Sequence, residues 1–131
     1  MRIDTCCTGL SAGPELTFLK NTNPYLFSSW DADAGVFRDG EPGVRFPVLF
    51  LGYMEVGRMI DAQADGFAVG QMVAGSWGHK TGHAAEASGD LLVPLPAALD
   101  PALGIFVGQM VPIAANGILH PDALAHGRAP S

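Results

Sequence analysis

The sequence predicts a mainly β protein, a small and strongly bent β-barrel that is followed by one long C-terminal helix. In the first half of segment 46–73, apolar side chains alternate around glycines, a pattern typical of a bent strand with a bulge, and a polar turn at 61–66 leads into a second strand. Near the C-terminus, Asp100 and a proline precede a long apolar run at 102–119. An N-cap residue followed by proline is a start signal for a helix.

The composition limits the classes of function. The 131 residues predict one globular domain over 1–120 and a flexible polar tail over 121–131. A formal net charge of -6, with 7 Lys and Arg residues, leaves no basic surface for nucleic acid. No apolar run has membrane length, and Asp4 interrupts the place of a signal peptide, so the sequence predicts a cytoplasmic protein without membrane contact.

The first part of the chain is predicted to hold one strand, one short helix and a long loop. The strand covers 2–8, and Pro14 opens the helix at a first-turn position. The irregular stretch 21–47 contains aromatic residues, which are Tyr25, Phe27, Trp30 and Phe37. Long loops are usually functional or disordered, and aromatic residues favour order. Two roles stay open for this stretch: a lid over a substrate pocket, or a loop that its aromatic rings anchor to the barrel.

The second part of the chain ends in an unusually apolar helix. A glycine-rich tract at 74–83 leads to two short predicted strands at 84–87 and 91–93. The helix at 102–119 is apolar nearly all round and needs cover on every side. Pro112 is expected to kink it. The helix therefore predicts a homodimer or a contact with a partner chain.

Two motifs resemble those of a known superfamily. The segments LGYMEVGRMI at 51–60 and GFAVGQMVAG at 66–75 resemble the GroES-like catalytic domain of the medium-chain dehydrogenase/reductases, which include the alcohol dehydrogenases. The resemblance covers most of the chain and implies a GroES-like bent β-barrel. It also implies a nicotinamide dinucleotide bound by a second domain through a Gly-x-Gly-x-x-Gly turn. This sequence contains no such turn, so NAD(P) is expected only if a partner supplies the binding domain.

The positions that match the zinc ligands of this family hold other residues. Tyr53 and Met54 stand where the family motif Gly-His-Glu-x-x-Gly has its histidine and glutamate, and Ser11 stands at the first ligand cysteine. Pro112 lies near the position of the remaining ligand. The resemblance therefore implies a zinc-independent oxidoreductase domain, and no metal site is predicted.

Without zinc, a side chain has to donate the proton to a substrate carbonyl. The candidate proton donors are Tyr53, His79 and Glu15. The residues expected to contact the substrate or the cofactor are Ser11, Trp77, Met110 and Asn116. A structural explanation stays open as well: Tyr53 can be a core residue with a satisfied hydroxyl, and Glu15 can be an acid in the first turn of its helix.

A nucleophile elbow is a rival interpretation. Residues 9–13 fit the Gly-x-Ser-x-Gly pattern, in which Ser11 would attack an acyl group with help from His79, His83 or His120. Beside the oxidoreductase domain, a second class is a stand-alone barrel that binds a small apolar metabolite or catalyses a cofactor-free isomerisation, dehydration or cyclisation. A third class is an interaction protein, in which the helix at 102–119 forms an obligate dimer or docks on a partner. Whether the chain is an enzyme is left open by the sequence.

The cysteines and histidines offer one more alternative. Cys6 and Cys7 are adjacent, and neighbouring side chains of a strand point to opposite faces, so both are expected as free thiols in a reducing compartment. Either cysteine could join His79 and His83 in a zinc site, although their spacing does not specify one. The roles of His83, Cys6 and Cys7 stay open.

Overall fold

A computed structural model describes residues 1–120 of the chain. It is mainly β, with 27% strand and 19% helix. The chain forms two compact units: residues 1–9 together with 52–120, which we call unit 1, and Leu10–Leu51, which we call unit 2. The tail predicted at 121–131 lies outside the described residues.

Five strands of unit 1 form one antiparallel sheet in the order β6-β1-β4-β5-β7. Their bounds are β1 Arg2–Thr8, β4 Glu55–Asp61, β5 Met72–Gly75, β6 Gly82–Ala84 and β7 Leu92–Pro94. The strands β2, Ser28–Asp31, and β3, Val36–Asp39, belong to unit 2. β1 and β4 are the longest pair, and the extra residue Cys6 forms a bulge between Thr5 and Cys7. A glycine lies opposite this bulge, since Thr5 pairs with Gly57. A Cβ at position 57 would collide with the side chain of Ile3.

The core of unit 1 lies against this sheet. Its main cluster contains the buried residues Ile3, Met59, Val73, Trp77 and Ala85, and a second cluster contains Val56, Ala74 and Leu95. Burying one aliphatic side chain of this size stabilises a fold by about 2 kcal/mol. Because both β1 and β4 contribute to the main cluster, their pairing is held by packing as well as by hydrogen bonds.

The predicted closed barrel, and with it the GroES-like bent β-barrel, is wrong. The sheet is open in residues 1–120, where β6 pairs with β1 and β7 pairs with β5. Each of these edge strands has only three residues, which is too short to wrap round and close the sheet. Pro94, at the end of β7, also has no backbone N–H that could pair with a further strand.

The predicted long helix at 102–119 is wrong as well. The structure has a short helix α2 at Pro101–Gly104 and a second helix α3 at Met110–Leu119, separated by turns. The chain turns where Gly108 packs on the backbone of Gly75, and a Cβ at position 108 would lie 3.4 Å from its carbonyl oxygen. Pro112 falls in the first turn of α3, where no backbone N–H is needed, so it helps to begin a helix instead of kinking one.

Unit 2 contains the helix α1 at Pro14–Leu19 and a hairpin of β2, Ser28–Asp31, with β3, Val36–Asp39. Trp30 lies opposite Phe37 in this hairpin, and their ring centroids are 5.1 Å apart. Tyr25 adds a second edge-to-face contact to Phe37, at 4.9 Å. Three of the aromatic residues in the predicted loop therefore pack on one another, and a hairpin forms where the sequence predicted irregular structure.

Among the helices of residues 1–120, none combines the length and the apolar character needed to cross a membrane.

Candidate functional site

The strand β4 begins with a buried carboxyl group, that of Glu55. Glu55 is 0% exposed, and its Oε2 accepts a hydrogen bond of 2.9 Å from the backbone N–H of Trp77. The other oxygen, Oε1, is buried and has no hydrogen-bond partner within the described part of the chain. Buried polar atoms are nearly always paired, because an unpaired one costs about 1 to 3 kcal/mol. An exception such as Oε1 is a reason to look for a functional role.

Two glycines let the chain close over this carboxyl. Gly52 has φ +104°, and a Cβ there would lie 2.6 Å from Oε1 of Glu55 and 2.7 Å from the backbone N of His79. Gly78 has φ +84°, and its Cα would lie 2.8 Å from the same Cβ. Only glycine fits at position 52, because it accepts the positive φ and leaves room for the loop.

The histidine of the loop, His79, lies at the surface of this site. Its Nδ1 forms a hydrogen bond with Oγ1 of Thr8, at the end of β1. Thr8 pairs directly with Glu55 across β1 and β4, so the two side chains leave the sheet on the same face. The arrangement places an exposed hydroxyl–imidazole pair next to a buried carboxyl, which is the chemistry needed to move protons.

Trp77 is held on three sides and is only 5% exposed. Its backbone N–H binds Glu55, its indole Nε1–H donates to Oγ1 of Thr5 at 3.1 Å, and its ring stacks on His83. The predicted substrate contact at Trp77 therefore lies in the core of unit 1. The side chain fixes the loop that carries His79.

His83 and Asp90 form a second polar pair in unit 1. Nε2 of His83 is 3.2 Å from Oδ2 of Asp90, which also accepts the backbone N–H of Glu86 at 2.8 Å. The pKa of Asp90 is lowered, mainly by the hydrogen bond from the Glu86 N–H. Burial raises this pKa, whereas His83 and the charge of Lys80 lower it further. The pair ties the loop at 86–90 to β6.

No three His, Cys, Asp or Glu side chains of residues 1–120 come together as metal ligands. Cys6 is exposed and Cys7 half-buried, both as free thiols. His83 is engaged with Trp77 and Asp90.

The remaining predicted residues of unit 1 lie at separate places along the chain. Tyr53 is half-buried and directly follows Gly52. Met110 is half-buried at the first position of α3, and Asn116 is exposed on the same helix.

Glu15 and Ser11 lie in unit 2 and contact each other. Oε2 of Glu15 accepts a hydrogen bond from the backbone N–H of Ser11, and Glu15 is buried in the first turn of α1. This contact uses the backbone of Ser11 and not its hydroxyl. It supports the local turn before α1, in which Pro14 occupies the first helical position.

Sequence reasoning missed Glu55, although a signal was present. Residues 55, 57 and 59 fall on one face of β4 by the two-residue period of a strand, and Met59 belongs to the core. An acidic residue on the core face of a strand is rare and indicates a special role.

A small groove of about 250 Å³ lies elsewhere in unit 1, lined by Arg2, Asp4, Ile60 and Gly82 among others. It does not include Tyr53, Glu55 or His79, and it is smaller than most small-molecule sites, which have about 300 to 1,000 Å³.

Comparison of the chain with protein-family models, with curated proteins and with solved structures finds no match.

Proposed function

We propose that this chain is a substrate-binding and catalytic domain of the kind found in zinc-independent alcohol dehydrogenase-like oxidoreductases, acting with a nicotinamide dinucleotide that a partner helps to bind. The observation that carries the proposal is the Thr8–His79 hydrogen bond beside the buried carboxyl of Glu55. Glu55 lies in the first of the two motifs that resemble this family, and His79 follows shortly after the second.

The proposed role of this site is proton transfer to a substrate carbonyl oxygen. The dinucleotide supplies the hydride when it is bound. Imidazole is the side chain best suited to exchange a proton near neutral pH, and a threonine hydroxyl can donate or accept a hydrogen bond that orients it. His79 is exposed, so a substrate can reach it, and Tyr53 is the second candidate donor. Glu15 and Ser11 are assigned no proton transfer, because their contact supports α1.

The exposed apolar surface of the helix α3 supports the proposal of a partner. Its residues Val111, Ile113, Ile118 and Leu119 are between 53% and 62% exposed, and the segment 101–119 contains no charged residue. Depletion of charge and exposed aliphatic side chains are typical of the centre of a protein–protein interface. We assign this surface to a second copy or to a dinucleotide-binding partner. Free thiols at Cys6 and Cys7 support a reducing, cytoplasmic location.

The test is a calorimetric titration with NADH and NADPH, with the mass of the same sample measured by light scattering. We expect a Kd in the micromolar range, which corresponds to about 8 kcal/mol, and a mass above that of one chain. Ile113→Lys should lower the mass and weaken binding. Val36→Lys, an exposed change in unit 2, is the matched control. A sample that has the mass of two or more chains but shows no heat of binding with millimolar dinucleotide would contradict the redox part of the proposal.

A second candidate is a cofactor-free isomerisation or dehydration of a small apolar metabolite. It is favoured by the exposed imidazole of His79, whose Nδ1 hydrogen-bonds with Oγ1 of Thr8 and which needs no cofactor to exchange a proton. The test is exchange of deuterium from D₂O into simple ketones and aldehydes, followed by NMR. His79→Ala should abolish the exchange, and Tyr53→Phe should reduce it if Tyr53 is an acid. If both variants keep the full rate, neither residue transfers the proton.

A further inference from the structure

We propose that Glu55 is a positioning residue, whose carboxyl holds the loop 76–79 so that the imidazole of His79 meets the hydroxyl of Thr8. The inference rests on the proposed proton-transfer function of His79 and deepens it. Glu55 is never in contact with substrate in this proposal. It acts through the backbone of the loop.

The first link is the hydrogen bond from Trp77 N–H to Oε2 of Glu55, 2.9 Å long and buried. Trp77 is two residues before His79, so fixing its backbone restricts where the histidine side chain can reach. Because this hydrogen bond is buried, water cannot replace it, and it tolerates little change of geometry.

The second link is the close packing at Oε1. A Cβ added to Gly52 would lie within 2.8 Å of three atoms: Oε1 of Glu55, the backbone N of His79 and Cα of Gly78. A ligand cannot enter a space of this size. The oxygen therefore serves to set the position of the chain around it, and not to bind substrate.

The third link is the start of β4 opposite the end of β1. Glu55 pairs with Thr8, so the residue that holds the loop and the residue that meets His79 are neighbours across one ladder. A sheet is more rigid than a loop, and a site placed on it is more precise. One strand pair thus supplies both the anchor for Trp77 and the hydroxyl for His79.

Three variants of the full chain test the proposal by NMR. Glu55→Gln keeps an oxygen that can accept the hydrogen bond, whereas Glu55→Met has a similar size without a strong acceptor. Thr8→Val is the reference for the His79 ring signals in a protein that lacks the contact with the hydroxyl. In Glu55→Met we expect the Trp77 amide to exchange at least about tenfold faster, and the His79 ring signals to match those of Thr8→Val. Glu55→Gln should keep the Trp77 exchange rate within about threefold and the His79 signals of the original protein.

The control is Glu86→Gln, a change at an exposed acid of unit 1. It should leave both signals unchanged. A merely structural role would lower the stability of the whole fold and would move His83 as much as His79. A folded Glu55→Met with unchanged Trp77 exchange and unchanged His79 signals would overturn the proposal, and so would a Glu55→Gln that behaves like Glu55→Met.

If Glu55→Met does not fold, the unmodified protein decides. The Trp77 amide should then be the most protected of the loop 76–80, and an NMR coupling across its hydrogen bond should reach the carboxyl carbon of Glu55. Exchange of the Trp77 amide at the rate of an unprotected amide would overturn the proposal. None of these measurements uses a dinucleotide or a substrate, so a failure here is distinct from a failure of the proposed function.

Discussion

The indole ring of Trp77 and the imidazole ring of His83 lie parallel, with centroids 5.7 Å apart and an interplanar angle of 4°. Together with the indole hydrogen bond to Thr5, this stack joins β6, β1 and the loop 76–79. Unit 1 depends on Trp77 in three ways, through its backbone, its indole nitrogen and its ring face.

Replacing this indole should therefore destabilise the protein. Trp77→Phe loses the hydrogen bond to Thr5 and leaves part of the core unfilled, which we expect to lower the free energy of unfolding by about 2 to 3 kcal/mol. The measurement is urea unfolding followed by circular dichroism. Trp30→Phe is the control, since Trp30 is 47% exposed on the hairpin of unit 2. Equal effects of the two changes would contradict the importance of the stack.

Two glycines with positive φ offer a matched test of the packing over Glu55. Gly52 (φ +104°) and Gly66 (φ +86°) both have a backbone that disfavours a side chain, yet nothing lies within 4 Å of a Cβ at Gly66. Gly66→Ala should cost about 1 to 2 kcal/mol, from backbone strain alone. Gly52→Ala should cost more than about 3 kcal/mol, because the new carbon also meets Glu55 and His79. Urea unfolding of both variants gives the difference, and similar losses would show that the packing is loose.

Asp90 makes the stability depend on pH. Because its folded-state pKa is lowered, mainly by the Glu86 N–H, its ionised form stabilises the folded protein above the pKa of the unfolded chain. This stabilisation begins to be lost as the pH falls below the pKa of an unfolded aspartate, about 4. It is lost fully once the pH has also fallen through the lower pKa of Asp90 in the folded protein. Asp90→Asn should cost about 0.5 kcal/mol at pH 7 and less at pH 3, as measured by urea unfolding. Ser88→Ala is the control in the same loop. A constant difference at both pH values would contradict this account.

The two adjacent thiols should differ in reactivity. Burial is the main cause that raises the pKa of Cys7, with the charges of Cys6 and Asp100 adding to it. Cys6 is exposed at the bulge of β1. Since the thiolate is the reacting form, iodoacetamide at pH 7.5 should modify Cys6 at least about tenfold faster than Cys7. Cys7→Ser should keep the fast phase and Cys6→Ser only the slow one, as followed by mass spectrometry. The reverse order would show that the bulge hides Cys6.

Local signals in the sequence were enough to predict parts of this fold. The strand at 2–8 is confirmed as β1, and the helix start at Asp100 is confirmed by its side chain, which accepts the N–H of Ala102 at 2.9 Å. Both depend on residues close in the sequence. The closed barrel failed because closure depends on the pairing of distant strands, and β6 and β7 proved too short for it.

The long helix failed for a similar reason. Its apolar pattern was compatible with one continuous helix, but Gly108 contacts Gly75, a residue far away in the sequence. The candidate site was predicted in part. His79 was named from the sequence, whereas its neighbours Thr8 and Glu55 become visible only through the register of β1 with β4.

The chain leaves unit 1 after Gly9 and returns to it at Gly52, and these two junctions lie close together. The N–H of Gly9 donates a hydrogen bond of 2.7 Å to the carbonyl oxygen of Met54, so both junctions meet at one end of the β1–β4 ladder. A segment attached in this way can be exchanged as a cassette: joining Gly9 to Gly52 through a linker of about three residues keeps the register of the ladder. Unit 2 is thus an insertion between two neighbouring strands of one ladder.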